Sequence, residues 1–446
     1  MLHLNWRKPV IFAALYLSGS RILHSLKEID NVSRMSREEI EQYQNIQLTK
    51  LLFYAYKNVP YYHKILPESG VIANNRVHLE NFKNIPILTK DIIRREGKNL
   101  YSVDHRTRKS FENTSSGSTG EPIKFIQDAE YDQWNTATKI YFNRVLGKEA
   151  GEREIKFWGS LRDLLEGTVG IRNIIYNFLF NRKSLNSINL TRENLDTIIR
   201  EWEEFRPIIV WSYVSSVYEL ARYMEKNRIT FSNPPKGIIV TAAVLSRDIR
   251  EYLERILTTK VYNQYGSREV GAIACECVLQ DGLHVFDFFQ YVEIIDLDNS
   301  GDGEIIITNL RNFSMPFIRY RIGDIAENHD SFCPCGRKTH MLETITGRTS
   351  DYFILEDGTK ISHSFFSQLF WFKPWVKKFQ VVQRGYREVI CKVVVQGEVN
   401  PGEIKDIERK IQRVMGTTCS IHFEFVDEIE RSRSGKFRYV ICEIEP

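Results

Sequence analysis

The sequence predicts a two-domain α/β protein: a large N-terminal domain of layered sheets and helices over residues 1–347, and a small C-terminal α+β domain over residues 348–446. Three observations carry this. Short β-rich apolar runs alternate with helical patterns from Ile155 to Gln264, the signature of a largely parallel sheet. From Tyr291 the texture changes to hairpin-like alternation, and after Gly347 a separate unit follows with its own strands and helix. At 446 residues the chain is also too long for one ordinary core.

At the N-terminus, Arg7 and Lys8 precede the apolar run Pro9–Leu17 and the small residues Ser18, Gly19 and Ser20. Signal peptides share this layout, and the run is too short to span a bilayer as a helix. We read it instead as an amphipathic first helix continuing through Ile22, Leu23 and Leu26, with one face available for peripheral membrane contact. The reducing compartment that the cysteine usage fits also argues for a cytoplasmic chain. Ser36 N-caps the next helix, which has Glu38 and Glu39 in its first turn; the helical pattern runs to Lys64, and the segment ends at Pro60-Tyr61-Tyr62. The turn-rich Pro86–Lys90 leads into another helix, and a helix over Tyr131–Leu146 follows a pattern that starts near Asp128.

Strands are expected at Ile155–Trp158, Ile208–Trp211, Gly237–Thr241 and Val261–Gln264, with helices between them, including one opened by the capping box Thr191-Arg192-Glu193-Asn194 and one over Ser246–Leu257. Val292–Leu297 and Glu304–Asn309 read as an antiparallel pair. In the small domain the strands are Phe379–Arg384, Val389–Val395, Ile421–Val426 and Arg438–Ile444, and the helix is Pro401–Met415.

The 61 basic and 57 acidic side chains leave a formal charge of +4, too even to argue for a nucleic-acid partner. Seven cysteines, four of them between 275 and 335, are unlike the disulfide framework of a small secreted domain and fit a reducing compartment.

The chain is organised around Thr114-Ser115-Ser116-Gly117-Ser118-Thr119-Gly120-Glu121-Pro122. Hydroxyls and backbone N–H groups in such a loop can surround phosphate oxygens, because glycine permits close backbone approach. It is not a Walker loop, which needs Lys after its second glycine. Tyr265-Gly266-Ser267-Arg268-Glu269 follows a predicted strand, so that a carboxylate at the sheet edge could hold Mg²⁺ against nucleotide phosphates. Arg319–Asp324 ends another strand, and an Asp after Gly323 is placed to accept two ribose hydroxyls. Gly347-Arg348-Thr349-Ser350-Asp351 lies at the domain junction, and Arg431–Lys436 is a basic loop whose lysine could neutralise charge on a displaced phosphate. Taken singly, each of these is also an ordinary turn or solvated loop.

In this order, these stretches resemble the adenylate-forming superfamily of acyl- and aryl-CoA ligases, and most closely its phenylacetate–CoA ligase-like branch associated with capsule and surface-polysaccharide biosynthesis. The resemblance runs from about Ser36 to the end of the chain. It implies ATP, Mg²⁺ and coenzyme A as cofactors and co-substrates, a carboxylic acid as substrate, and a mobile small domain. The acceptor it implies is the thiol of CoA or of a carrier protein; an amine on a sugar or amino acid is the alternative. By the same resemblance, Ser115, Ser116, Gly117, Ser118, Thr119 and Gly120 with Thr114 wrap the ATP phosphates, Thr241, Ala242 and Ala243 lie against adenine, and Tyr265, Gly266 and Ser267 flank the purine and acyl pocket. Glu269 becomes the Mg²⁺ ligand, Asp324 the ribose ligand, Arg348 a ribose and phosphate contact, Ser350 the hinge, and Lys436 the adenylation lysine.

The chain departs from the family pattern at Arg268, where Thr or Ser usually touches the α-phosphate, at Ser350 for the hinge Asp, at Glu121 for Lys and at Ile322 for Thr. Arg268 and Ser350 keep a second reading open, a degenerate member that binds nucleotide without turnover inside a polysaccharide assembly. Glu269, Asp324 and Lys436 in register argue against it.

Independent of the nucleotide, Cys277, His284, Cys333 and Cys335 supply three thiols and one imidazole, the ligand set of a closed structural zinc site, with Cys275 as a spare. The Cys-Pro-Cys spacing is tighter than the usual two-residue gap, and the alternative is a group of buried free cysteines. Members of the resembled branch can carry such a ligand set. His363 reads as a packing or surface residue, and Trp371, Phe372 and Trp375 as core of the small domain. Trp158 and Trp211 are core positions that would also suit an aryl-lined pocket.

Overall fold

The computed structural model describes residues 5–115, 123–158, 171–187, 190, 192–296, 302–328, 331–348, 352–357, 359–371, 373–430 and 438–444. The chain divides into two compact units, residues 1–322 with 327–344, and residues 323–326 with 345–446.

The expected first helix is two helices, α1 (Arg7–Leu17) and α2 (Ile22–Val32). Gly19 takes φ +67° between them, and the N–H groups of Gly19 and Ser20 bond back to the carbonyls of Tyr16 and Leu15, a helix-ending arrangement that needs the left-handed residue glycine allows. Ser36 caps α3 (Arg37–Asn58) through a capping box: its hydroxyl accepts from the Glu39 N–H at 3.3 Å, and the Glu39 carboxylate accepts from the Ser36 N–H at 2.8 Å. This helix stops at Asn58 rather than Lys64. Val59 is extended and Pro60 becomes the first residue of α4 (Pro60–Glu68), where its missing N–H costs nothing. Thr89 caps α5 (Lys90–Glu96), and Asp128 caps α6 (Ala129–Val145).

The main sheet has eleven strands: β1 (Glu154–Trp158), β2 (Arg182–Asn186), β3 (Ile209–Tyr213), β4 (Gly237–Thr241), β5 (Lys260–Ser267), β6 (Gly271–Glu276), β7 (Leu283–Val285), β8 (Gln290–Asp296), β9 (Asp302–Asn309), β10 (Tyr320–Asn328) and β11 (Met341–Arg348). Their spatial order is β8-β9-β10-β11-β7-β6-β5-β4-β3-β1-β2. The run β2-β1-β3-β4-β5 is parallel, linked through α7 (Ile171–Leu179), α8 (Arg192–Phe205), α9 (Val214–Asn227) and α10 (Arg247–Leu257). Every residue of β3 is buried, as befits a parallel strand covered on both faces.

At β5 the sheet changes character, because β6 returns antiparallel, twenty residues before the hairpin texture expected from Tyr291. The strand expected to end at Gln264 continues to Ser267, so Tyr265, Gly266 and Ser267 lie within β5 and lead into a hairpin turn. Likewise Asp324 sits inside β10 rather than at its end. An aromatic core joins Trp134 and Phe142 of α6 to Phe286, Phe288 and Phe289, and Arg311 stacks its guanidinium 3.7 Å from the Trp134 ring centre.

In the small unit, α11 (His363–Phe370) and α12 (Pro401–Met415) accompany β12 (Val376–Gly385), β13 (Glu388–Val395), β14 (Ser420–Phe425) and β15 (Val440–Cys442), in the sheet order β14-β13-β12-β15. Ile407, Ile411 and Met415 recur at helical spacing on α12 and are buried with Trp375 and Phe379, and Trp371 packs against that cluster. The core reading of Trp371 and Trp375 holds; Phe372 lies outside the described residues.

Candidate active site and metal centre

Two chain segments distant in sequence meet at the β5–β6 turn. Strand Lys124–Gln127 pairs antiparallel with Phe111–Thr114, with Thr114 opposite Lys124, and this hairpin carries the hydroxyl–glycine loop between its strands. Ser115 closes the loop's base: its N–H donates to the Ile123 carbonyl, and its hydroxyl accepts from the Ile123 N–H, both at 3.0 Å. At the other end of the hairpin, about 10 Å away at the rise of a strand, buried Gln127 donates to the carbonyl of Arg268 at 2.8 Å and of Glu269 at 3.1 Å.

That turn is fixed from several sides. The Ser267 hydroxyl accepts from the Val270 N–H, buried Gln290 donates to the carbonyls of Val270 and Ala272 at 2.7 and 2.9 Å, and Asn309 donates to Val270 and to Gln290. Gly271 takes φ +80°, and a Cβ there would lie 2.7 Å from the Tyr131 hydroxyl. At Gly266 a Cβ would lie 2.6 Å from the Gly271 carbonyl oxygen, so backbone packing alone demands glycine. Tyr265, Arg268 and Glu269 are half-buried around this rigid backbone. Burial pushes the Tyr131 phenol well up, and the carboxylates of Asp132 and Glu269 push it further in the same direction.

Thr241 ends β4 beside β5, followed by Ala242, left-handed at φ +73°, and Ala243, both exposed. The C-terminal ends of parallel strands are where such sheets bind ligands. Trp158 and Tyr213, at the ends of β1 and β3, meet with ring centres 4.2 Å apart and planes tilted by 39°. Trp211, two residues before Tyr213, is buried against Phe142 with its indole N–H donating to Asn143 at 3.2 Å, so its core reading holds.

Asp324 follows Gly323 at φ +85° in β10, and Arg348 is the last residue of β11; both belong to stretches grouped with the small unit. Ser116, Gly117, Ser118, Thr119, Gly120, Ser350 and Lys436 lie outside the described residues. The sequence reading did not find Gln127, Gln290 and Asn309. Their amides act on backbone carbonyls, and nothing in the residues around them distinguishes such an amide from a surface one. Asp128 carried a signal as a helix cap. It also accepts from the N–H groups of Phe313 and Ser314 at 3.2 and 3.1 Å, tying α6 to the loop before β10.

The second constellation forms a single group. The ligand atoms of Cys277, His284, Cys333 and Cys335 all lie within 4.8 Å of one another. Cys277 Sγ is 3.6 Å from Cys333 Sγ, and Cys335 Sγ is 3.4 Å from His284 Nε2. Tetrahedral coordination with metal–sulfur bonds of about 2.3 Å separates ligand atoms by about 3.8 Å, so these side chains fit a zinc-sized ion with small movements. His284 Nδ1 pairs with the Thr339 hydroxyl at 3.0 Å, which leaves Nε2 aimed at the thiols. The sulfurs also accept from N–H donors: Leu279 to Cys277, Cys335 to Cys333 and the Arg337 guanidinium to Cys335, each at 3.4 Å. Burial pushes the Cys335 thiol up, and the hydrogen bonds from its neighbours, Arg337 above all, outweigh it and hold it below the ordinary thiol value. The tight Cys-Pro-Cys spacing works because the chain turns at Gly336, φ +90°, whose N–H returns to the Cys333 carbonyl. Cys275 packs instead into the aromatic core.

Residues 353–443 match the family model of the CapK C-terminal domain. Protein CapK of Staphylococcus aureus is 23% identical over 440 residues, covering 94% of this chain and 91% of that protein. The phenylacetate-coenzyme A ligase of Aromatoleum evansii is 24% identical over 438 residues, covering 93% and 97%. A solved 2-hydroxyisobutyryl-CoA ligase, in the postadenylation state with R3-HIB-AMP, superposes with a TM-score of 0.73 at 18% identity over 93% of this chain and 92% of that one. The chain has the adenylate-forming CoA ligase fold. Both the resemblance read from the motifs and the mixed α/β class with a C-terminal domain are borne out. In the adenylate-forming fold of this chain, the loop hairpin and the Tyr265–Glu269 turn lie together on the large unit, held by Gln127.

Proposed function

We propose that this chain is an AMP-forming acid ligase that activates a carboxylic acid as an acyl-adenylate and passes the acyl group to the thiol of coenzyme A. The observation that carries this is the clamp of Gln127 on Arg268 and Glu269, which sets the β5–β6 turn beside the loop hairpin in a chain whose relatives include phenylacetate–CoA ligases over nearly their whole length. In the first step a substrate carboxylate oxygen attacks the α-phosphorus of ATP and pyrophosphate leaves. In the second, a thiolate attacks the acyl carbonyl and AMP leaves.

Thr114 and the hydroxyls and amides of Ser115–Gly120 hold the departing phosphates, and Lys436 neutralises charge as they separate. Glu269 would hold Mg²⁺, which when bound supplies further charge neutralisation. Arg268 places a guanidinium where the family has a hydroxyl, giving the α-phosphate a charged partner. Asp324 accepts the ribose hydroxyls, Arg348 contacts the ribose and phosphate side, and Thr241, Ala242, Ala243, Tyr265, Gly266 and Ser267 enclose the purine and the acyl group. The small domain, residues 348–446, turns about Ser350 between the two steps. Cys277, His284, Cys333 and Cys335 would hold a structural Zn²⁺ that closes the 275–335 region. The match to the CapK C-terminal domain supports a surface-polysaccharide setting, in which a carrier-protein thiol or an amine can replace CoA as acceptor. Its need for ATP puts the reaction on the cytoplasmic side.

ATP–pyrophosphate exchange over a panel of aryl, short-chain and amino acids tests the first step, with Glu269→Ala and Lys436→Ala as controls. Acid-dependent exchange that both variants lose supports the ligase and names its acid. AMP release on adding CoA, against an amine, assigns the acceptor. A protein that binds no ATP in calorimetry is not a ligase.

A further inference from the structure

The N-terminal helix does not bury the apolar face that its sequence offers. On α1, Ile11 packs into the aromatic core, yet Leu17 is 83% exposed, and Trp6, Val10, Ala13, Ala14 and Leu17 form one stripe at helical spacing, all exposed. Helix α7, more than 150 residues later, repeats this. Tyr176, Leu179 and Phe180 pack on the core, while Ile174, Ile175 and Phe178 are exposed on the opposite side.

The two exposed stripes adjoin. The Arg7 guanidinium lies 4.7 Å from the Trp6 ring centre and 5.4 Å from that of Phe178, and it donates to the Phe178 carbonyl at 3.3 Å. Arg7 therefore bridges the two stripes. The chain segments that carry them are basic, although Glu149 and Asp132 of neighbouring segments lie close by. The first acidic residue of the chain is Glu28, whereas Arg7, Lys8, Arg21 and Lys27 precede it, and no acid occurs from Gly167 to Arg192. Arg21 and Lys27 are exposed. Lys8 is paired with Glu149 at 3.0 Å, a rim contact between partly exposed side chains.

We propose that α1 and α7 together form a monotopic docking surface for an anionic lipid bilayer, with Trp6, Val10, Leu17, Ile175 and Phe178 entering the headgroup boundary and Arg7 and Arg21 meeting lipid phosphates. Apolar stripes bridged by Arg7 and followed in the chain by exposed Arg21 have the charge complement of such a surface. A second copy fits less well, because a two-fold contact would set the same cations against each other. Among the described residues no helix is long and apolar enough to cross a membrane, so the protein lies on the bilayer by this face.

Co-sedimentation of the full chain with phosphatidylglycerol–phosphatidylcholine vesicles, and with pure phosphatidylcholine vesicles, tests this without reference to catalysis. Strong, salt-sensitive binding to the anionic vesicles is expected. Leu17→Asp with Ile175→Asp should weaken it at least about tenfold, and Arg21→Glu at least about fivefold, with thermal melts unchanged because these side chains are exposed. No binding by the parent chain, or binding indifferent to the paired substitution, overturns the proposal. So does a dimer, seen by sedimentation velocity, that the paired substitution dissolves without any lipid binding; that result would assign the face to a second copy.

Discussion

The large unit holds two polar constellations built on opposite plans. At the Cys277–His284–Cys333–Cys335 group the functional atoms face one another, and their donors and orienting partners lie within the same patch. At the β5–β6 turn the buried side chains, Gln127, Gln290 and Asn309, spend their hydrogen bonds on backbone carbonyls, while Arg268 and Glu269 remain half-buried. The first is closed and suited to hold a structure together. The second rigidifies a backbone and leaves the side chains of Arg268 and Glu269 partly accessible, as the proposed catalytic role requires.

Breaking the closed site should cost the most stability. Cys333→Ser, or a strong chelator at neutral pH, is expected to remove about one zinc per chain by elemental analysis and to lower Tm by roughly 10 °C. A protein that holds no zinc and melts unchanged would reduce the group to buried thiols.

A third cluster sharpens the contrast, because it is polar, buried and at the N-terminal ends of its parallel strands, away from their C-terminal ends. Glu154, at the start of β1, pairs with Lys148 at 3.0 Å and Arg182 at 2.6 Å, all largely buried. Burial pushes the Glu154 carboxyl up, but Arg182, Lys148 and Lys156 outweigh it and hold it down at about 2, against an ordinary 4.5. Since the folded value is the lower one, this carboxylate stabilises the fold above about pH 5 and loses that contribution as pH falls towards 2. Glu154→Gln leaves Lys148 buried without its partner and should cost about 3–5 kcal/mol. Urea melts at pH 7 and pH 4 should then differ less in the variant than in the parent.

At the open site the signs reverse. Glu269→Gln is expected to lower ATP–pyrophosphate exchange by about 10²–10³-fold while moving Tm by no more than about 2 °C, as for a half-exposed substitution. The smallest effect is expected from Gln127→Ala, which touches no substrate. Two half-buried carbonyls lose their donor, at about 1–3 kcal/mol, and exchange falls about tenfold because Arg268 and Glu269 shift together. Equal losses of stability and activity in both variants would erase the distinction between the two plans.

Much of this was legible in the chain. Ser36 with Glu39, Thr89, Asp128 and Ser246 announce helices through side chains that bond within a few residues, and the parallel strands announce themselves through continuous apolar runs. Errors fell where local preference is nearly balanced. Pro60 ends one helix or begins another equally well, and Gly19 breaks a run whose apolar pattern continues on both sides. Tyr265–Ser267 was expected to follow a strand and lies inside it, because a glycine in a strand and a glycine at its end look alike in sequence.

What the sequence by itself determined was the inventory: the hydroxyl–glycine loop, an acid after Tyr265-Gly266-Ser267-Arg268, three thiols with one imidazole, and the alternation that makes a parallel sheet. Tertiary structure alone decided which groups meet. The antiparallel pairings of β6 with β7 and of β7 with β11 bring Cys277 and His284 together with Cys333 and Cys335 across more than forty residues, and Gln127 reaches Arg268 across 141. Such contacts are set by strand pairing and by the burial of amides against carbonyls left without water. That pressure acts on the folded backbone and leaves no pattern in the neighbouring sequence.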